Sequence, residues 1–474
     1  MLTKPDMKKV SLILICLLTA VLCRAATYNV RDYGAKGDGK CLDSKYINIA
    51  IAKAEEQGGG TVILPAGTYL CGSIHLDNNI ELRLEAGARI VATADRAAYD
   101  KSEVFDGPQY QDGGHTFFHN SLIWADGKVN VAVTGRGIID GSALTKRDTE
   151  KAGIVQGGSI GQADKAIALK NCKNIAIEGI TITKGGHFAI IITGCERGYI
   201  NNVTIDTNRD GIDIDCCRFV NVSGCLINTP NDDALVIKSS YALQRPVASE
   251  NINIYGCTVT GYKLGTLLSG EKIPETVNWV CGRIKLGTES NGGYRNITIT
   301  GCTMEYSSGL AFEEVDQGRM ENITVSNITM NHVHHYPIYI TTGCRNRGPK
   351  ERTDVSYGGN ISINNVCALD CDSLCGIICT GMPQHPLRNI SLSDIRIEYR
   401  GGGKPWTLGK VYREQGTNYP EPRWAGPTPA YGLYARHVDG LVLRNVVFSL
   451  LRPDGREAIV TDDVTNMSVD GKSL

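Results

Sequence analysis

Beyond residue 26 the chain lacks any apolar run long enough to span a bilayer, which takes about 20 consecutive residues. It also lacks a Pro/Ser-rich linker, a block of like charge and any low-complexity segment, so nothing in its 474 residues marks a domain boundary. Excess charge is missing too: 49 Lys and Arg face 50 Asp and Glu, and the basic residues are spread along the chain. That excludes the basic stripe that nucleic acid or an anionic membrane demands, and a polyanionic substrate would be met by a few local cations. The long apolar run stands at the start. Lys8 and Lys9 precede Val10 to Cys23, and Arg24-Ala25-Ala26 closes on small residues. This order reads as a secretory signal peptide over 1–26, leaving 27–474 as one mature unit, secreted or periplasmic. Cys23 follows Leu22 where a lipid-attachment site carries a small residue, so no lipid anchor is expected. The mature protein is read as a soluble monomer without metal or cofactor.

Of 17 cysteines, Cys16 and Cys23 lie in the signal segment, leaving an odd number. Cys195, Cys225, Cys257 and Cys302 each follow Gly in a repeated phrase, which reads as a stack of small buried side chains. Cys367, Cys371, Cys375 and Cys379 stand four apart, which is not a zinc spacing, whereas a disulfide among them fits an oxidising compartment.

The phrase Asn-Ile-x-Ile returns at Asn174, Asn251, Asn296, Asn322, Asn360 and Asn389, with Val variants at Asn202 and Asn221. Short apolar alternations follow each, punctuated by Gly, Asn and Asp, and no helical stripes separate them. Such repeats cannot bury their own faces and must stack, so the fold class is all-β: a right-handed, single-stranded parallel β-helix. His187-Phe-Ala-Ile-Ile-Ile, Asp210-Gly-Ile-Asp-Ile-Asp and Asp233-Ala-Leu-Val-Ile-Lys follow at spacings of 23 residues, one coil each. The Asn-x-Ser/Thr triplets at Asn202, Asn221, Asn296, Asn322, Asn327, Asn360 and Asn389 recur at one strand position, which marks them as structural, with no room for a glycan at a packed strand. Asp43 to Glu56 carries Ile47, Ala50 and Ala54 at helical spacing, with Asp43 or Ser44 as N-cap and Gly58-Gly59-Gly60 as the stop. This helix would cover the open end of the solenoid.

In that register Asp210 and Asp233 take equivalent places on adjacent coils, and Asp232 adjoins Asp233. Three carboxylates this close cannot all ionise freely, so at least one acidity should be weakened. A raised acid beside an ionised base suits glycoside hydrolysis, while a calcium site or a solvated acidic ladder remains open on spacing alone. Asp213 and Asp215 alternate with Ile212 and Ile214 and read as plain outward-facing strand residues.

The opening Tyr33-Gly-Ala-Lys-Gly-Asp-Gly, Gly58 to Tyr69, Asn208-Arg-Asp-Gly-Ile-Asp-Ile-Asp and Asn231-Asp-Asp-Ala-Leu-Val-Ile-Lys resemble glycoside hydrolase family 28, the polygalacturonases and rhamnogalacturonan hydrolases. The resemblance runs over nearly all of 27–474. It implies a pectin-lyase-like solenoid with an open cleft, and inverting hydrolysis of a pectic polysaccharide or oligosaccharide. It also implies Asp232 as general acid, with Asp210 and Asp233 positioning and deprotonating the attacking water. Inversion calls for carboxyls roughly 6.5–9.5 Å apart, so Asp232 must point away from Asp233.

Departures from the family pattern carry the specificity argument. Where polygalacturonases have Gly-His-Gly, this chain reads Cys281-Gly-Arg-Ile-Lys-Leu-Gly-Thr-Glu-Ser, without histidine. Where they have an Arg-Ile-Lys clamp for the substrate carboxylate one coil later, the alignment places Ala311-Phe-Glu. Arg283 and Lys285 would then reach the cleft from the neighbouring coil. Glu313 in place of a cation removes a charge-assisted bond and adds repulsion, which disfavours galacturonate there and tolerates rhamnose. The expected substrate is thus rhamnogalacturonan, cut between galacturonate and rhamnose. The expected substrate contacts are His187, Lys238, Arg283, Lys285, Glu289 and Glu313. His332, His334 and His335 read as loop histidines near the cleft. Tyr419, Trp424 and Tyr431 to His437 would either close one end of the cleft, making the enzyme exo-acting, or pack as a C-terminal cap. The alternatives are a polygalacturonase on homogalacturonan, a lyase using calcium-bound carboxylates, and a non-catalytic binding solenoid.

Overall fold

The computed structural model describes residues 26–111, 113–144, 163–276, 280–406 and 411–473. All but the last residue of the signal-peptide reading lies outside them. Among the described residues no helix is long and apolar enough to cross a membrane.

The chain winds into a right-handed parallel β-helix whose coils each contribute short strands to three faces. On the first face Lys165–Lys170, Phe188–Thr193, Asp210–Asp215, Leu235–Ser239, Ile284–Ser290, Ser308–Glu314 and His334–Thr342 pair in succession. The second face holds the Asn-Ile-x-Ile phrases. Alternation buries every other side chain, and register turns that into columns: Ile252, Ile297, Ile323, Ile361 and Ile390 lie one above another, none more than 1% exposed. Cys195, Cys225, Cys257 and Cys302 sit in the same core as small apolar side chains. All fifteen cysteines among the described residues are unpaired, Cys367, Cys371, Cys375 and Cys379 included.

The repeated asparagines have a different reason from the one their spacing suggests. Their side chains are not packed inside. Asn251, Asn296, Asn322, Asn360 and Asn389 turn the corner into the second face at φ between 53° and 58°, a left-handed conformation that Asn tolerates better than other L-residues. Their amides then bond coil to coil, Asn296 to Asn251 at 3.0 Å and Asn322 to Asn296 at 3.3 Å.

The helix forms over Ser44–Glu56 and buries Ile47, Ala50, Ile51 and Ala54 against the first coil. Asp43 stands at its N-cap position, but its carboxylate accepts instead from the Lys36 and Gly37 amides, at 2.7 and 2.9 Å. It thus anchors the preceding Gly-rich turn rather than the helix.

Candidate active site

Asp210 opens one first-face strand, and Asp233 stands just ahead of the next. The Gly211 amide donates to the Asp233 carbonyl at 3.0 Å, which fixes the two aspartates on adjacent coils. Only glycine fits between them, because a Cβ at Gly211 would lie 2.4 Å from the Ala234 carbonyl oxygen. The backbone register corrects one expected step: Asp210 faces Phe188, not His187, while Ile212 faces Leu235 as the 23-residue spacing requires. His187 therefore stands one residue out of line with the aspartates, at the cleft wall, its ring 4.2 Å from that of Phe188. Asp232 belongs to the turn before the strand, where Thr229 donates to its carbonyl at 2.9 Å and the Asp233 amide to its carboxylate at 3.1 Å.

Each carboxylate is turned to its own cation. Asp232 meets Arg209 at 2.6 Å, Asp210 meets Lys238 at 3.1 Å, and Asp233 meets Arg283 at 2.5 Å and Lys285 at 3.4 Å. Burial, with the nearby charge of Asp232, pushes the Asp210 carboxyl well above the ordinary carboxylate range. Burial works the same way on Asp233, but Arg283 and Lys285 outweigh it and hold that carboxyl below the ordinary range. The group thus contains one carboxyl disposed to hold a proton and another disposed to stay ionised.

A further acid lies beneath them. Asp213 points outward from its strand as alternation requires, yet it is fully buried and 2.7 Å from Lys238. Burial pushes it up to about 6 against the pull of Lys238 and His115. Asp215 is likewise buried, accepting from the Ser240 amide and hydroxyl at 2.7 and 2.6 Å. Both depart from the expected solvated strand face because long connections cover this stretch of it. His115 arrives from one such connection and lies 3.0 Å from Lys238. Neighbouring Tyr110 meets Tyr241 edge-on.

The cleft above this floor encloses about 580 Å³. Of the expected contacts, His187, Lys238, Arg283, Lys285 and Glu289 line it, and Glu313 does not. Glu313 is fully buried, 3.3 Å from Lys285 and bonded to the Thr288 hydroxyl at 3.0 Å. The expected direct repulsion of substrate by Glu313 is therefore corrected: Lys285 and Thr288 of the preceding coil lie between this carboxylate and the cleft. Register places Lys285 one coil beyond Val236 and Ala311 one coil further. Arg283 and Lys285 thus stand at Asp233 itself, with Arg283 also bonded to the Tyr336 hydroxyl and to Glu421.

The segment 419–424 crosses this face. Tyr419 bonds Thr288 at 2.9 Å near one end of the strand Ile284–Ser290, and Glu421 bonds Arg283 at 3.2 Å at the other. It lies across the solenoid axis and bounds the cleft towards the later coils, with Trp424 on the cleft side. Tyr434, by contrast, packs into a C-terminal apolar cluster with Tyr412. His332 is tied to Asp370 at 2.5 Å, and neither it, His334 nor His335 lines the cleft. Arg209, beside Asp210, was visible in sequence. Tyr419, with Glu421 in the same stretch, was marked by its aromatic surroundings as a segment that could close the cleft, whereas His115 and Tyr336 arrive from a remote connection and a later coil and carry no local signal.

Residues 27–263 match the model of the family described as rhamnogalacturonase A/epimerase, pectate lyase-like. A Vitis vinifera protein named "Probable polygalacturonase" is 26% identical over 60% of this chain, which spans 62% of that relative's length. An exopolygalacturonase of Platanus acerifolia is 24% identical over 81% of this chain and 93% of its own. The fold is shared with a family 28 exopolygalacturonase of Yersinia enterocolitica, at a TM-score of 0.68 and 19% identity over 95% of this chain and 79% of that one. The chain therefore belongs to the rhamnogalacturonase A/epimerase, pectate lyase-like family, and its sequence is similar to those of polygalacturonases.

Proposed function

We propose that the protein is an inverting exo-hydrolase of a galacturonate linkage in pectin, secreted or periplasmic and monomeric, with rhamnogalacturonan-type chains as preferred substrate. One observation carries the catalytic reading: three neighbouring carboxylates, each oriented by a different cation. Asp232, whose side chain is the most exposed of the three at 22%, is placed to protonate the leaving oxygen as general acid. Asp233, kept ionised by Arg283 and Lys285, serves as the base that deprotonates the attacking water, with Asp210 holding that water alongside. Lys238, with Asp213 and His115 behind it, positions Asp210.

The rhamnogalacturonan preference rests on how the cations are engaged. Arg283 and Lys285 are already met by Asp233, Glu421 and Glu313. Cations so engaged make a poor clamp for a second galacturonate carboxylate. Glu313 acts by occupying Lys285, not by repelling the sugar. Arg347, half-exposed and only loosely drawn to Glu289 at 3.7 Å, is free enough to meet the galacturonate on the bond-cleaving side. Exo action is supported by segment 419–424 lying across the cleft, and by the exopolygalacturonase relative. Against a calcium-dependent lyase, each of the three carboxylates is already paired with a cation of the chain itself.

The test is reducing-sugar release from debranched rhamnogalacturonan and from homogalacturonan, with product sizes and ultraviolet absorbance followed together. Short saturated products from the first substrate, absent with Asp232→Asn, are expected. A ladder of long products refutes exo action, an unsaturated product refutes hydrolysis, and faster release from homogalacturonan refutes the substrate preference.

A further inference from the structure

A second cavity, of about 560 Å³, lies beyond segment 419–424 on the same side of the solenoid. It is carried by the approaches to later coils: His335 at the start of His334–Thr342, the turn 372–374 before Ile377–Thr380, and the connection 403–406. Register counts three coil steps from Leu235 to Ile338, through Ile284 and Leu310. At the usual strand spacing the nearest wall of the cavity, at His335, stands about 14 Å from Asp233 along the axis.

Its walls are fixed. Arg456 donates to the Ser373 and Leu374 carbonyls at 2.5 and 3.1 Å and pairs with Asp454 at 2.9 Å. Asp454 in turn accepts from the Gly403 amide at 2.8 Å. One buried ion pair thus holds both the 373–374 turn and the connection that carries Lys404 and Trp406. Leu374, Pro405, Trp406 and Pro427 give an apolar wall, and His335 and Asp372 give polar groups. His335 supplies the independent pointer to a ligand. It is 8% exposed, it lines the cavity, and neither ring nitrogen has a hydrogen-bond partner. Burying two such groups unpaired costs about 1–3 kcal/mol each, which a bound partner would relieve.

From this we infer that the cavity is a second carbohydrate site, taking one pyranose unit of a pectic chain apart from the catalytic cleft. An aromatic face beside a few placed polar groups is what a sugar ring recognises, with C–H bonds towards Trp406 and hydroxyls towards His335 and Asp372. The rim cation Lys404 would meet a uronate carboxylate. The inference goes beyond the hydrolase reading and rests on it only for the identity of the polymer. Such a site would hold the chain beside an enzyme whose cleft admits only its end, raising the local concentration of ends.

The test titrates two hexasaccharides, one of galacturonate and one of neutral galactose, calorimetrically into the full-length Asp232→Asn protein. The galacturonate hexamer is expected to show two binding events. The event at the second cavity should weaken at least about tenfold with Trp406→Ala or His335→Ala, and should survive Trp406→Phe. Equal thermal melts establish that the variants are folded. Heat from the neutral hexamer, lost in the same variants, supports recognition of the ring itself. Heat from the galacturonate hexamer alone, lost with Lys404→Ala as well, supports the added uronate contact. A single event unaffected by these substitutions, or a second event that survives them, overturns the site. Turnover by the parent is read separately, so silence there would sink the hydrolase proposal and leave the titration to judge the cavity.

Discussion

The first face and the second face are built by the same stacking rule and end in opposite chemistry. On the second, Asn251, Asn296 and Asn322 follow coil after coil, and their exposed amides bond to one another. On the first, Asp210 and Asp233 stand in the same kind of register, but long connections fold over them and each acid must find its own cation. The repeating asparagine gains a neighbour from stacking. The repeating aspartate gains a repulsion, which is relieved only by groups brought from elsewhere. Stacking alone therefore makes a scaffold, and covering one stretch of it makes a site. Substitutions at four positions test that contrast.

The largest effect is expected from Asp232→Asn, which should lower hydrolysis by about 10²–10⁴-fold. Its thermal midpoint should hardly move, because the residue is part-exposed and its pair with Arg209 is not deeply buried. A loss of activity matched by a loss of fold would erase the distinction between site and scaffold.

Asp233→Asn removes the proposed base and, unlike Asp232→Asn, should also destabilise the protein by about 3–5 kcal/mol at neutral pH, since Arg283 and Lys285 lose a buried anion. The sign with pH follows from the lowered pKa of Asp233. Its stabilisation is fully present above the ordinary aspartate value and is lost as pH falls towards the folded one. Urea midpoints of parent and variant should therefore converge in strong acid, and a constant gap would contradict the assignment.

Glu313→Gln sharpens the comparison within the first face. It releases Lys285 from one of its two acids, and should raise kcat/KM on homogalacturonan about fivefold while costing about 1–2 kcal/mol of stability. Unchanged substrate preference would mean that Lys285 does not face the leaving sugar.

Smallest is Asn296→Ala on the second face. It should cost about 1–2 kcal/mol in urea unfolding, from a left-handed backbone position and two lost, solvent-exposed amide bonds, with kcat/KM unchanged. Asn296→Gly should recover the backbone part of that cost.

Much of the scaffold was legible because it is local and periodic. The Asn-Ile-x-Ile phrase displays both the strand alternation and the corner, and the buried column Ile252-Ile297-Ile323 follows from it. The cysteine stack was legible for Cys225, Cys257 and Cys302, whereas Cys195 belongs to another corner, between Cys172 and Cys217, because the Gly-Cys phrase recurs at two corners of the coil. The three aspartates could be read as neighbours from the 23-residue step alone. The step from His187 misled by one residue because a coil can be 22 residues long, and a period counted by eye does not reveal which turn was shortened. Asp213 and Glu313 misled differently. Their direction was readable, but what covers them was not.

What the sequence determined by itself, then, was the solenoid, its inward columns and the meeting of Asp210, Asp232 and Asp233, because each follows from residues a fixed step apart. Tertiary structure alone decided that Arg283 and Lys285 belong to Asp233, that Glu313 is shut beneath Lys285, and that Tyr419 and Glu421 cross the cleft. Those contacts join residues up to 138 positions apart. No periodic rule specifies them. They form because a buried charge must be paired wherever in the chain its partner lies.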